Sequence, residues 1–234
     1  MRIWREKLTV LAIACSDREN ITIGGITEKG EWYRIKAGRK DLINEGETFF
    51  RNFGQSEIYF CNLPGTGQKE SYKEIYWDES KKPKVVNDIK DAEQKVFLDK
   101  HLDRSVYSVF EQGNDIGLVK VTVENVEFYW NKYLREYEAY ITFKDYSESS
   151  FRFPCTEIYW NNYWKNVVNS HPQDLPQRLC NMQWILNEQD TYFVIGLTSP
   201  VPEWPGPFNG CWPIILGIHS LPGVIYFKEY AYLV

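Results

Sequence analysis

The chain reads as a mainly β protein with a few helices: two tandem small β-barrels joined by a helical segment. Three observations predict this. Short alternating or fully apolar runs, punctuated by glycine and proline, recur near both ends. Helical periodicity is confined to the middle and to one insert in the second half. With 234 residues, the chain can hold one large β domain or two small ones.

The first unit spans residues 1–77. Leu8–Cys15 is apolar almost without interruption, as in a strand buried on both faces. Ile21, Ile23 and Ile26 carry a second strand, in which Gly24-Gly25 predicts a bulge or sharp bend. After the short loop Glu28-Lys29-Gly30, Glu31–Lys36 returns as a strand. Ser56–Asn62 makes another, ended by Leu63-Pro64-Gly65-Thr66-Gly67, and a last strand is expected near Tyr72–Trp77.

Residues 78–115 change character. Ile89, Ala92, Val96, Phe97, Leu102 and Val106 recur at helical spacing, with Asp88, Asp91 and Glu93 suiting a helix N-terminus. One or two helices here connect or brace the units, and Glu111–Asp115 is the boundary turn.

The second unit spans residues 116–234. Val119, Val121 and Val123 alternate with polar residues, and the phase slips at Asn125 to Val126 and Phe128, as a bulge causes. Tyr137–Phe143 and Phe151–Phe153 complete a meander. Trp160, Tyr163, Trp164, Val167 and Val168 fit a helix, with Thr156 as its cap. Pro172 and Pro176 mark a loop, and strands return at Thr191–Thr198, Pro213–His219 and Val224–Leu233 around the proline-rich loop Pro200–Pro207. A meander, a helix and further strands is the order of a five-stranded OB-type barrel. Periodicity alone leaves an SH3-like barrel or a sandwich open.

Composition bounds the function. The net charge is −5, so any nucleic-acid contact must come from a local patch rather than from a generally basic surface. Aromatic residues make up 16% of the chain; strand cores and cross-strand pairs explain most of them, and aromatics also build stacking or partner surfaces. Cys15, Cys61, Cys155, Cys180 and Cys211 are widely spaced and odd in number, which predicts free thiols in a reducing compartment. The three histidines lack zinc-ligand spacing, so no metal or other cofactor is expected. The N-terminus does not read as a signal peptide and no apolar run reaches membrane length, so a cytoplasmic protein without membrane contact is expected.

Two stretches are candidate sites. In Trp32-Tyr33-Arg34-Ile35-Lys36-Ala37-Gly38-Arg39-Lys40, two aromatics precede four cations, which suits nucleic-acid binding through Trp32, Tyr33, Arg34, Lys36, Arg39 and Lys40. The plainer reading makes Arg34 structural, bonded to loop carbonyls. The second stretch, Tyr129-Trp130-Asn131-Lys132-Tyr133, has more rings than a turn can bury. With Glu127, Glu136 and Glu138 nearby, Tyr129, Trp130 and Tyr133 suit a protein partner better than phosphate. Lys81-Lys82-Pro83-Lys84 sits among acids and reads as a solvated linker.

Signals of catalysis are poor. Gly65-Thr66-Gly67-Gln68-Lys69 lacks the spacing and hydroxyl of a phosphate-binding loop. His219 closes an apolar strand, where a satisfied core histidine is expected.

Several of these segments together resemble the dual OB-containing domain family of bacterial and phage conflict systems. Gly24-Gly25-Ile26 followed by Glu31-Trp32-Tyr33-Arg34 is similar to that family's glycine-turn-tryptophan-x-arginine motif. Gly117–Val121 is similar to the opening of its second unit, Phe153–Glu157 to its threonine-acid strand end, and Thr191–Leu197 and Ile214–Ile218 to its closing strands. Ile35 stands where the family has proline, and Glu157 where it has aspartate. The resemblance implies nucleic-acid or nucleotide binding. The expected function is therefore a non-enzymatic module for single-stranded nucleic acid in a defence or mobile-element system. The alternatives are a protein–protein adaptor of such a system and a nucleotide or small-ligand sensor.

Overall fold

The computed structural model describes residues 3–15, 20–38, 43–44, 47–61, 75–77, 80–200 and 202–222. The first sheet uses β1 (Ile3–Cys15), β2 (Asn20–Ile26), β3 (Trp32–Gly38), β6 (Gly54–Cys61), β7 (Ile75–Trp77) and β8 (Lys84–Asp88). A two-residue-per-arm hairpin, β4 (Ile43–Asn44) and β5 (Glu47–Thr48), lies between β3 and β6. β1 pairs antiparallel with both β2 and β6, β2 with β3, and β7 joins β3 in parallel to β6. The five main strands therefore close in the order first, second, third, fifth, fourth and back to first, which is the OB connectivity. β8 lies in the segment read as a helical connector, yet it pairs with β6 and lengthens the first sheet.

The second barrel repeats the order. β9 (Ile116–Asn131), β10 (Glu136–Lys144) and β11 (Ser150–Pro154) form the meander, and β12 (Asp190–Leu197) and β13 (Pro213–Leu221) complete the sheet. A parallel bridge from Cys155 to Ile215 closes it between the third and fifth strands. The phase slip near Asn125 is a bulge, with the register shifting between Thr142 and Phe143 on β10. The first-unit bulge falls on β1 instead of at Gly24-Gly25: Val10 faces Gly25, Ala12 faces Gly24, and Leu11 is the extra residue.

Among the described residues four α-helices accompany the strands: α1 (Asp91–Lys100), α2 (Val106–Glu111), α3 (Ile158–Ser170) and α4 (Leu175–Asn187). The cap of α3 is Glu157, whose carboxylate accepts from the Trp160 amide at 2.5 Å; Thr156 instead donates its hydroxyl to the Ile215 carbonyl. α4 replaces the expected loop. Pro176 falls in its first turn, where a missing N–H costs nothing. Its Asn187 side chain bonds both the amide and the carbonyl of Val123, next to the β9 bulge.

Three apolar clusters hold the molecule. One fills the first barrel with Leu8, Val10, Ile13, Ile23, Ile35 and Phe60. One fills the second barrel with Val121, Phe128, Phe143, Trp164, Phe193 and Ile215. The third is a seam between the barrels. Leu11, Ala12, Ala14 and Ile26 meet Ile116, Leu118, Tyr192, Val194 and Leu216 there. β1 is buried on both faces, as its sequence predicts, because the bulge at Leu11 sends one set of side chains inward and the other into the seam.

At the seam, β13 crosses β1 backbone to backbone. A Cβ on Gly217 would lie 2.5 Å from the Leu11 carbonyl oxygen, so only glycine fits. Two residues along β13, His219 Nε2 lies 2.7 Å from that same oxygen, as the donor of a neutral imidazole. α1 belongs with the second barrel: Lys95 pairs with Asp190, and Tyr192 donates its hydroxyl to Asp99 at 2.6 Å.

Candidate nucleic-acid interface

In an OB barrel the ligand lies across the second and third strands, flanked by the loop after strand one and the loop after strand four. The two barrels differ in what covers that face. In the first, the outward side chains of β3 are Trp32, Arg34 and Lys36, since Ile35 and Ala37 point into the core. Trp32 packs against the seam cluster. Arg34 is only 6% exposed and donates through Nη1 to the Leu197 carbonyl of the second barrel.

Arg34, expected from sequence to meet nucleic acid, is placed by the structure at the seam, where its guanidinium ties the two barrels. Tyr33 points the other way, half-buried and stacked on Phe60 with ring centroids 5.1 Å apart, so it serves the first core rather than a base. Lys36 is half-buried and lies opposite Thr22. Arg39 and Lys40 lie outside the described residues.

The second barrel docks through β9, β12 and β13, so its own β10–β11 face stays open. Ala139, Ile141, Phe143 and Phe153 point into the core, which turns Glu138, Tyr140, Thr142, Lys144 and Arg152 outward. On the neighbouring β9, Val126 and Phe128 are core and Glu127 and Tyr129 are outward. The Tyr129 and Tyr140 rings stack at 6.0 Å with planes 5° apart, and the Arg152 guanidinium lies 4.0 Å from the Tyr140 ring centroid. Glu127 holds Arg152 in place with hydrogen bonds of 3.2 and 2.5 Å, which raises the Arg152 pKa further. Burial raises the Tyr140 pKa, so the phenol stays neutral.

The remaining charges on this face are also paired. Lys144 lies 3.1 Å from Glu124, which also accepts from Ser150, and Glu138 accepts from Asn131 at 2.8 Å.

The loops beside the face carry exposed rings. After β9, Asn131 Oδ1 accepts from the amides of Tyr133 and Leu134, an Asx turn that fixes the loop. Tyr133, 84% exposed, stands at its tip. Trp130 follows the inward phase of Phe128 but lies past the end of the core, where it packs edge-on against Tyr137. Between β12 and β13, Trp212 donates its indole N–H to the Trp204 carbonyl, and Trp204 is 77% exposed. Tyr129, Trp130 and Tyr133, read from sequence as partner contacts, are thus brought together beside the open face. Tyr140 and Arg152 were missed. Their signal is the polar phase of two alternating strands, Glu138-Tyr140-Thr142-Lys144 and Ser150-Arg152, which places an aromatic and a cation side by side once the pairing is known.

Among the described residues no helix is long and apolar enough to cross a membrane, and no group of three or more metal-binding side chains forms.

No family model and no curated protein matches the chain. Among solved structures it is similar to a replication protein A heterotrimer bound to ssDNA, at 9% identity and a TM-score of 0.35, covering 98% of this chain and 51% of that one. It is also similar to a murine DNA binding protein bound with ds DNA, at 10% identity and a TM-score of 0.36, covering 91% of this chain and 95% of that one. The chain thus spans about half the length of the first of these. The OB assignment rests on the strand order of the two barrels.

Proposed function

We propose that this chain is a non-enzymatic module that binds single-stranded nucleic acid on the β10–β11 face of its second barrel. The carrying observation is the Tyr129–Tyr140–Arg152 stack on the one OB ligand face that the seam leaves open. Parallel rings backed by a guanidinium offer a platform for bases of any sequence. Tyr133, Trp130 and Trp204 extend it at the flanking loops. In this reading residues 1–77 and 116–234 are the two barrels and 78–115 the connector. The first barrel is a scaffold for the second. The resemblance to the dual OB-containing family supports a place in a defence or mobile-element system.

Because both cations of the face are paired with carboxylates, few phosphates are neutralised. Binding depends weakly on salt, with a log–log slope of about −1. The test is an anisotropy titration with labelled oligothymidylate and oligouridylate, about a dozen nucleotides long. Tyr140→Ala weakens binding roughly tenfold at every salt concentration. Binding that is unchanged in Tyr140→Ala and Tyr129→Ala overturns the assignment of the face.

A second reading, a protein adaptor, draws on the exposed rings of Trp130, Tyr133, Trp204 and Trp212. It predicts stable co-elution with a partner and no oligonucleotide binding even at low salt.

A further inference from the structure

At the end of the second barrel, α2, the start of β11 and the β12–β13 connection enclose an open cleft of about 480 Å³. Its walls are aromatic. Tyr107 and Phe151 meet edge-on at 5.5 Å, and Phe208 lies 4.7 Å from Phe110 and 6.2 Å from Tyr107. Phe208 is held there by a tight turn. Asn209 and Gly210 both have positive φ, 51° and 81°, and the Cys211 amide returns to the Phe208 carbonyl at 2.9 Å. This is the Asn-Gly signature of a type I′ turn. The turn thus fixes the Phe208 wall of the cleft by local sequence.

Besides the Tyr107 phenol, two polar side chains line the cleft, Glu111 and Asn209. Glu111 is the last residue of α2, where the helix dipole disfavours a carboxylate. The carboxylates of the open face are all bonded within it, whereas Glu111 has no salt-bridge partner among the described residues.

We propose that this cleft takes one unstacked guanine base of the bound strand, stacked on the exposed Tyr107 ring, bordered by Phe208, with its Watson–Crick edge on the Glu111 carboxylate. Guanine presents two adjacent donors on that edge, N1–H and the N2 amino group, which match the two oxygens of one carboxylate. Adenine presents an acceptor at N1 and opposes it. Cytosine and uracil each offer a single donor there. The cleft is flanked by the β12–β13 connection, the OB loop that borders the ligand face, so a strand lying on that face can reach it. The proposal rests on the reading of that face as a nucleic-acid site.

The test uses the full chain and four labelled oligothymidylates that differ at one central position: guanine, inosine, adenine or thymine. Guanine binds about tenfold more tightly than adenine or thymine, and inosine, which lacks the N2 amino group, falls between. Glu111→Gln erases the difference between guanine and inosine, and Tyr107→Ala lowers guanine binding toward that of thymine. Equal affinity for all four overturns the guanine pocket while leaving the nucleic-acid reading in place. Failure of all four to bind overturns both.

Discussion

Raising the pH from 6.5 to 8 should destabilise the fold. Two buried groups of opposite sign shape the pH profile, and Glu157 alone sets the fall above pH 6.5. Glu157 is buried at the start of α3, where loss of water pushes its pKa from 4.5 up to about 8 against the opposing pull of the Trp160 and Tyr159 amides. His219 is buried against Leu11, and loss of water pushes its pKa from 6.5 down to about 4, although the Leu11 carbonyl favours the protonated ring. The folded state holds the Glu157 proton more tightly than the unfolded chain does. Its contribution is complete below pH 4.5 and is lost as the pH rises through 8. His219 must stay neutral in the fold, so its contribution is present above pH 6.5 and is lost as the pH falls through 4.

Each pH unit of such mismatch is about 1.4 kcal/mol. Between pH 4.5 and 6.5 the two slopes oppose and cancel. From pH 6.5 to 8 only Glu157 acts, and stability falls by about 2 kcal/mol. Asp103, raised by burial, acts in the same sense as Glu157, and His101, lowered by burial, in the same sense as His219. For a chain of this size about 2 kcal/mol lowers Tm by roughly 4–8 °C. The assay is thermal unfolding followed by circular dichroism in steps from pH 4 to 8.5, on the parent and on Glu157→Gln. The variant keeps an oxygen for the Trp160 amide but cannot ionise, so its Tm should be nearly level above pH 6.5. A parent whose Tm is level from pH 6.5 to 8, or a variant that declines just as steeply, would refute the reasoning.

Two further perturbations probe the seam. Gly217→Val puts a Cβ 2.5 Å from the Leu11 carbonyl oxygen, so it should cost more than about 3 kcal/mol and show as a large loss of urea midpoint. Arg34→Met removes the donor to the Leu197 carbonyl from a buried site. It should cost about 1–3 kcal/mol in the same unfolding assay, while oligonucleotide affinity of the folded protein stays at the parental value.

Much of the barrel framework was legible in the sequence because alternation reports directly on which side of a strand is buried. β9 shows this in Val119-Val121-Val123 followed by the slip to Val126-Phe128, and β12 in its unbroken apolar run between core and seam. α4 was not legible, since Pro172 and Pro176 look the same whether they break a helix or start one. Only the packing of Met182 and Leu186 into the second core decides between these. The cap of α3 was misread for a related reason: Thr156 and Glu157 are both able to cap, and the neighbouring Ile215 carbonyl takes the threonine hydroxyl.

The site was legible only in part. Trp32-Tyr33-Arg34 has the composition of a binding strand, but no local pattern reveals that a second barrel lies on it. Tyr140 and Arg152 are far apart in sequence and meet only through the pairing of Thr142 with Arg152. The crowding of rings at Tyr129–Tyr133 did predict exposed aromatics, because a turn of that length cannot bury them.

The central claim is that single-stranded nucleic acid lies on the β10–β11 face of the second barrel. Its most direct test is the low-salt anisotropy titration of one labelled oligothymidylate against three proteins: the parent, the Tyr129→Ala/Tyr140→Ala double variant, and Lys36→Ala on the first barrel. Two lost stacking contacts should weaken binding by roughly 10- to 100-fold in the double variant, with Lys36→Ala close to the parent. Loss of binding in Lys36→Ala with the double variant unaffected would contradict the account and return the site to the first barrel. No binding by the parent would contradict it outright.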